Sequence, residues 1–447
     1  MAFSFHSSKI DHFENFHTSI FINRLKALES GIGDCYNKIN LASERMDLLM
    51  KKLGLLPRLL IGIALGILIG LIGYWADTGI TTTINRIMVT FSGLFRNFLS
   101  YIIPLIIIGF IVPGIADLGG KAGKLLGITV AIAYVSTLLA GIWGWAGASA
   151  FMPFLVGDLG EPYVGRELIA FFNIDLPPIM GIMTALITAF IMGIGISAVK
   201  GNMLLGVFQE FRNIIKKVIE NVFLPLLPIH IAGIFAQMAY SGEIANTLVV
   251  YGVVFVLTIS LDYIYIGFQY LVASIYTKQS PVETLKKMIP AYTTALGTQS
   301  SAATIPVTTK CMKEIDGIDD EIAEFVAPLG ASTHLSGSTI TLVSCAIAVL
   351  ALDGMALSFG QLFPFIMMLG VTMVAAPGVP GGAIVAALGL LETMLGFNDA
   401  QMGVMIAIYI AQDSFGTAAN VFGDGAVVMI VNKVAKKDKM KKEAKVA

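Results

Sequence analysis

The feature that most constrains this chain is its series of long, nearly uncharged apolar runs, such as "LLPRLLIGIALGILIGLIGYW" at 55–75 and "IIPLIIIGFIVPGIA" at 102–116. Crossing a hydrocarbon core about 30 Å thick takes about 20 helical residues, and a helix satisfies its own backbone there. A transmembrane barrel would instead show alternating segments of about ten residues. Composition agrees. Hydrophobic residues make up 56% and charged residues 13%, with a mean hydropathy of +0.81, whereas soluble domains are roughly one-quarter charged. The chain is expected to be an all-α polytopic membrane protein.

Hydrophobic blocks fall at about 55–76, 84–114, 123–152, 179–199, 213–239, 245–276, 323–352 and 401–432, predicting eight transmembrane helices. Lysine and arginine set the orientation. They gather before the first span (Lys51, Lys52) and in the links at 117–124, 200–217 and 278–287, and in the tail from Lys433 to Lys445. The alternate links "YSGEIAN", "ALDGMALS" and "GFNDAQ" carry none, and Arg86 in the link at 76–86 departs slightly from the pattern. Both termini are therefore expected in the cytoplasm of a multi-pass protein of the cell (plasma or inner) membrane. Residues 1–54 lack the apolar core of a cleavable signal, and "IFINRLKAL" suits a helix lying at the interface or a plain cytoplasmic segment. Cys35, Cys311 and Cys345 lie too far apart for a metal or redox motif. With a net charge of −1 no nucleic-acid partner is expected, and no cofactor motif is present.

Two apolar stretches do not read as spans. The first, about 283–311, is interrupted at "GTQSSAATIP", and the second, about 360–396, at "APGVPGG". Each half has only some 10–15 residues, too short to cross the core at about 1.5 Å per residue. They read as re-entrant hairpins, because irregular backbone at membrane depth is tolerated where it lines a cavity or site. One hairpin starts on the lysine-rich side and the other on the opposite side, and each precedes a span. That order is an inverted repeat, with a binding site expected where the tips meet. Small residues also help helices pack closely, which is the competing reading of each interruption.

The last span places Asp413, Thr417, Asn420 and Asp424 on one helical face. Carboxylates inside a membrane mark functional sites by default. An acid beside an Asn and backbone carbonyls is a hard oxygen cluster, open to sodium ligation or proton carriage. The preceding span is broken at "PLGASTHLSGST", where Gly330 and Gly337 weaken the helix. Ser332, Thr333, His334, Ser336 and Ser338 stand there to meet backbone groups or a ligand. His334 is read as neutral and hydrogen-bonded, with a proton-linked role as the alternative. Asp262, in "ISLDYIYIG", is read as making a structural hydrogen bond.

"SSAATIPVT", "PLGAS…GST", "GVPGGAI" and "D…GTAANVFGD" together resemble the signature segments of the glutamate transporter family, the dicarboxylate/amino acid:cation symporters. The resemblance runs from about residue 55 and is densest across 290–430. It implies a homotrimer in which residues 55–282 are mainly scaffold, with an early helix joining the moving part. Residues 283–432 form the transport core, which moves as an elevator, and 433–447 form a cytoplasmic tail. It implies substrate contacts at Ser300, Ser301, Ser338, Val379, Gly381, Asp413, Gly416, Thr417 and Asn420, with Asp413 on the substrate amino group. It implies cation contacts at Gly330, Ser332, His334, Ser336, Asn420 and Asp424.

Two departures matter. Gly416 stands where members that carry acidic substrates place an arginine, and Gln299 stands where an alternative arginine can sit. A buried carboxylate without a cationic partner is costly, so a neutral amino acid is expected, and Gly416 is expected to leave volume for a larger uncharged side chain. The usual Asn-Met-Asp-Gly is here His334-Leu335-Ser336-Gly337, so one sodium site is absent, weakened or replaced by a proton. The resulting expectation is sodium-coupled (or proton-coupled) symport. A channel would need one continuous pore, and an enzyme a recognisable nucleophile or metal set.

Overall fold

The computed structural model describes residues 55–446 apart from 77, 121–123, 157–167, 200–201, 243, 353, 375 and 377. The interfacial reading of residues 1–54 lies outside the described residues. No strand occurs among those described. The helices are α1 (Leu55–Ala76), α2 (Gly79–Gly120), α3 (Lys124–Val156), α4 (Ile182–Val199), α5 (Asn202–Val218), α6 (Leu224–Ser241), α7 (Ile244–Thr277), α8 (Pro281–Thr298), α9 (Ser301–Lys313), α10 (Asp320–Thr333), α11 (Ser336–Leu352), α12 (Phe359–Met373), α13 (Gly382–Leu395) and α14 (Asp399–Val446). Among the described residues 7 helical stretches are long and apolar enough to cross a membrane, with α5–α6 and α10–α11 each counting as one. The eighth expected span falls on α4, whose apolar part, Ile187–Val199, is shorter than the rest.

Between α5 and α6 the chain makes one π turn, Ile219–Phe223, closed by Leu224 N–H on the Ile219 carbonyl. Pro225 explains it. Proline removes a donor and crowds the carbonyl four residues earlier, so the ladder slips by one residue and the helix continues. Close packing of α1 on α6 needs glycine. A Cβ at Gly62, Gly66 or Gly70 would lie 2.5, 2.3 or 2.4 Å from the carbonyl oxygens of Pro228, Ala232 and Ala236.

The helices sort by packing into two groups. α2 packs on α4, α5 and α6, while α14 packs on α7, α8, α10 and α11, and α11 in turn on α3. The contacts between the groups are thinner and run through α13 on α2 and α4, and through α6 on α7 and α14. Within the second group, α8 and α9 form one helical hairpin and α12 and α13 another. Ser280 caps α8 by accepting from Glu283 N, and Pro281 opens it. Gln299 ends α8 in the left-handed conformation (φ 54°), a place usually given to glycine.

Candidate functional site

The breaks that interrupt the apolar runs are brought together. Ser300 caps α9, accepting from Ala303 N at 3.2 Å, and its hydroxyl donates to the Gly378 carbonyl at 2.6 Å. Ala302 N donates to the same carbonyl at 3.4 Å. The tip of the α8–α9 hairpin therefore touches the turn between α12 and α13. A Cβ on Gly378 would sit 3.2 Å from both the Ala302 methyl and the Ala331 carbonyl oxygen, so glycine permits this approach. Ser301, at the first turn of α9, is buried, and Val379 is half-buried, its carbonyl accepting from Gly382 N.

Beneath the second turn lies Asp413, 3% exposed, whose Oδ2 accepts from Gly381 N at 2.7 Å. Gly381 has φ +71°, which turns its N–H toward the acid and which a side chain would resist. Thr417, one turn on, and Tyr409, one turn back, are both buried beside it. The Tyr409 hydroxyl lies between Asp413 and Ser338. Asn420 faces α11 instead, donating to Ser338 Oγ at 2.8 Å and accepting from Ser338 N at 3.1 Å. That pair holds α14 against the helix break at His334–Leu335, and Asn420 thereby satisfies one of the first amides of α11, which have no carbonyl within their own helix.

Gly416 corrects one expectation. A Cβ there would meet Thr341 Oγ1 at 3.1 Å and the Ser338 backbone at 3.4 Å, so α11 already fills the space beside it. Phe415 is half-buried, its ring edge-on to Phe255 of α7, 5.5 Å between centroids.

Asp424 and His334 form a fully buried pair, Nδ1 to Oδ1 2.9 Å, at 1% and 0% side-chain exposure. Gly330 lies against the same carboxylate; a Cβ would approach its oxygens to 2.6 and 2.8 Å. The Gly330 carbonyl accepts from His334 N at 2.9 Å, which closes the end of α10. Ser336 is buried and accepts from Gln269 Nε2 at 3.3 Å, whereas Ser332 is exposed and its hydroxyl bonds the Leu329 carbonyl. The Ser332 side chain thus stands apart from the Asp424 cluster.

Two contributors escaped the sequence reading. Ser136 of α3 lies 3.0 Å from His334 Nε2, and Gln269 of α7 lies 3.2 Å from the same nitrogen and donates to Ser136 Oγ at 2.8 Å. Gln269 stands seven residues after Asp262, on the same side of α7, and that spacing was the available signal. Asp262 itself makes no structural hydrogen bond. It is 3% exposed and neither oxygen has a partner, because the tyrosines beside it in sequence point elsewhere: Tyr263 to Tyr292 and Tyr265 to the Ser136 carbonyl.

The arrangement is a buried acid under two meeting turns, next to a second buried acid in a shell of oxygen and imidazole groups. Comparison with known proteins agrees with the residues. The model of the sodium:dicarboxylate symporter family matches residues 55–434. An excitatory amino acid transporter of Caenorhabditis elegans is 32% identical over 162 residues, 36% of this chain and 32% of the relative. Human excitatory amino acid transporter 1 is 28% identical over 206 residues, 46% of this chain and 38% of the relative. Human neutral amino acid transporter A is 29% identical over 177 residues, 40% of this chain and 33% of the relative. Each match thus spans about a third of the relative's length. Matched along most of its length, the chain belongs to the sodium:dicarboxylate symporter family, whose members are membrane symporters and not enzymes.

Proposed function

We propose that the chain is a secondary active transporter that carries a neutral amino acid in symport with a cation, sodium being the coupling ion. The observation that carries this reading is the closure of the two hairpin turns over Asp413. Asp413 receives the substrate ammonium, since a membrane-buried carboxylate calls for a cationic partner. The α-carboxylate meets Ser300, Ser301 and the amides that open α9, where a helix N-terminus favours an anion. Ser338, Thr417 and Asn420 border the side-chain end, and Val379 and Gly381 belong to the gate.

Neutrality of the substrate is supported by the sequence between Lys313 and Lys433, which contains no lysine or arginine. His334 is the basic group there, and it is engaged by Asp424. A side-chain carboxylate entering this core would find no guanidinium or ammonium from it. Asp424, Asn420, Gly330 and the backbone near Ser332 supply the sodium ligands, with His334 and Ser336 where the family carries further ones. The full architecture we propose is eight spans with two opposed re-entrant hairpins and cytoplasmic termini, assembled as a homotrimer in the cell membrane. The thin contact between the helix groups supports movement of α3 and α7–α14 against α2 and α4–α6 as an elevator.

Counterflow tests the reading. Proteoliposomes holding the full chain and loaded with unlabelled alanine or serine should accumulate the labelled amino acid transiently when sodium is present on both sides. A channel or an enzyme gives no such overshoot, and its absence at every neutral amino acid would refute the proposal.

A further inference from the structure

A cavity of about 410 Å³ lies among α3, α7 and α14, and none of the residues that line it belongs to either hairpin or carries a charge. All three helices run here within stretches able to cross a membrane. The rim is exposed and apolar: Val135 and Leu139 of α3 and Phe268 and Val272 of α7 are 51%, 44%, 49% and 42% exposed. Ala426 and Val427 of α14, both buried, belong to the inner wall. The mouth therefore opens at the depth of the hydrocarbon core.

Ile128 and Leu139, the outermost lining residues of α3, are eleven residues apart, about 16 Å along the helix. That is the depth of one leaflet, half of a core about 30 Å thick. Lysines mark one end. Lys124 opens α3 four residues before Ile128, Lys433 follows Ile430 by three residues, and Lys278 follows Val272 by six. The Lys433 ammonium donates to the Tyr276 carbonyl and lies 4.7 Å over the Tyr276 ring, which joins the ends of α14 and α7. Such Lys and Tyr residues sit at the level of the headgroups.

Toward the other end the polar lining residues bond one another. The Tyr265 hydroxyl donates to the Ser136 carbonyl at 2.6 Å, and Gln269 Nε2 to Ser136 Oγ at 2.8 Å. Behind them stands His334, whose Nε2 lies 3.0 Å from Ser136 Oγ and 3.2 Å from Gln269 Nε2. The floor of the cavity is thus the outer wall of the Asp424–His334 pair.

A partner helix about 10 Å across and equally long would need about three times this volume. Water finds too few partners along such a wall. A single acyl chain suits both the length and the lining. Lipid tails are as apolar as the lining itself, so preference comes from shape and from charge at the lysine end. An unfilled cleft forfeits its dispersion contacts, and lysines at the membrane boundary attract an anionic headgroup.

We propose that this cavity is a binding site for one acyl chain of an anionic phospholipid from the leaflet on the lysine-rich side. The bound chain braces Ser136 and Gln269 behind His334 and so tightens the cation site. The lipid site stands on the cavity alone, while the bracing rests on the cation reading above.

The test uses the full chain, delipidated in detergent, with palmitoyl-oleoyl phosphatidylglycerol, the phosphatidylcholine of the same chains, and palmitate as probes. Native mass spectrometry should find one phosphatidylglycerol held more tightly than the rest. Ala131→Trp fills the cavity from an exposed lining position of α3, and it should weaken that lipid by about tenfold or more. Lys433→Gln should weaken it by about fivefold and leave phosphatidylcholine unchanged. Equal binding by Ala131→Trp and wild type overturns the site, as do several equivalent lipids with none preferred. Palmitate bound as tightly as phosphatidylglycerol, with no effect of Lys433→Gln, overturns the phospholipid. Should Ala131→Trp not elute normally on gel filtration, Val135→Trp, one turn along the same rim, takes its place. For the bracing, phosphatidylglycerol should lower severalfold the sodium concentration that raises the melting temperature of wild type, and Ala131→Trp should lose this response. Sodium curves that ignore the lipid overturn the bracing alone. A wild type that never responds to sodium removes the cation reading and the bracing with it, and the lipid count still decides the site.

Discussion

The Ser300 hydroxyl donates to the Gly378 carbonyl at 2.6 Å, so the tip of one helical hairpin is clasped to the turn of the other directly above Asp413. Opening the site means breaking this bond. Ser300 also caps α9, which couples the strength of the clasp to the start of that helix. Ser300→Ala should weaken the closed state by about 1–2 kcal/mol through the lost bond and cap, seen as faster substrate release in a filter-binding chase. Ser300→Thr, which retains the hydroxyl, should restore slow release. Equal release rates in all three proteins would argue against the clasp.

Asp413→Asn separates charge from geometry. The amide oxygen can still accept from Gly381 N–H, so the turn should keep its shape and thermal unfolding should shift little. The substrate ammonium loses its counter-charge, and affinity should fall by about 2–5 kcal/mol. Binding measured by isothermal titration beside a melting curve checks both halves; a large drop in stability with unchanged affinity would make the acid purely structural.

Gly330→Ala places a methyl where the Asp424 carboxylate now sits, 2.6 Å from its nearer oxygen. The carboxylate must shift, at a cost of about 1–3 kcal/mol. Sodium titration of substrate binding should therefore move to higher concentration, as it should in Asp424→Asn, while the ranking of amino acids stays the same. Coincident sodium curves for mutant and wild type would place the cation elsewhere.

Gly416→Arg supplies a guanidinium but starts from a Cβ only 3.1 Å from Thr341 Oγ1. Alone it should destabilise by about 1–3 kcal/mol through overpacking. Paired with Thr341→Ala, which removes the opposing hydroxyl, it should recover stability and admit aspartate or glutamate. Competition assays on the double mutant check this, and continued exclusion of both acids would mean that residue 416 does not face the substrate.

Several of these features were legible in the sequence because they break a rule locally. The turns at Ser300 and Gly378–Gly381 interrupt apolar runs with Ser, Gly and Pro, and Asp413, Thr417, Asn420 and Asp424 repeat at helical spacing. Ser136 and Gln269 were not legible, since each is a lone polar residue in an apolar helix and only packing of α3 and α7 behind His334 gives it a partner. The tyrosines that flank Asp262 in sequence are not its partners in space, since successive helical positions point about 100° apart. The room imagined at Gly416 belongs to the same class, for the space beside a glycine is set by the opposing helix.

The most direct test of the central claim is competition for sodium-driven uptake in proteoliposomes by alanine, serine, glutamine, aspartate and glutamate. The account predicts that one or more neutral amino acids compete in the micromolar to low millimolar range and that aspartate and glutamate do not. Strong inhibition by aspartate or glutamate with none by the neutral amino acids would contradict it.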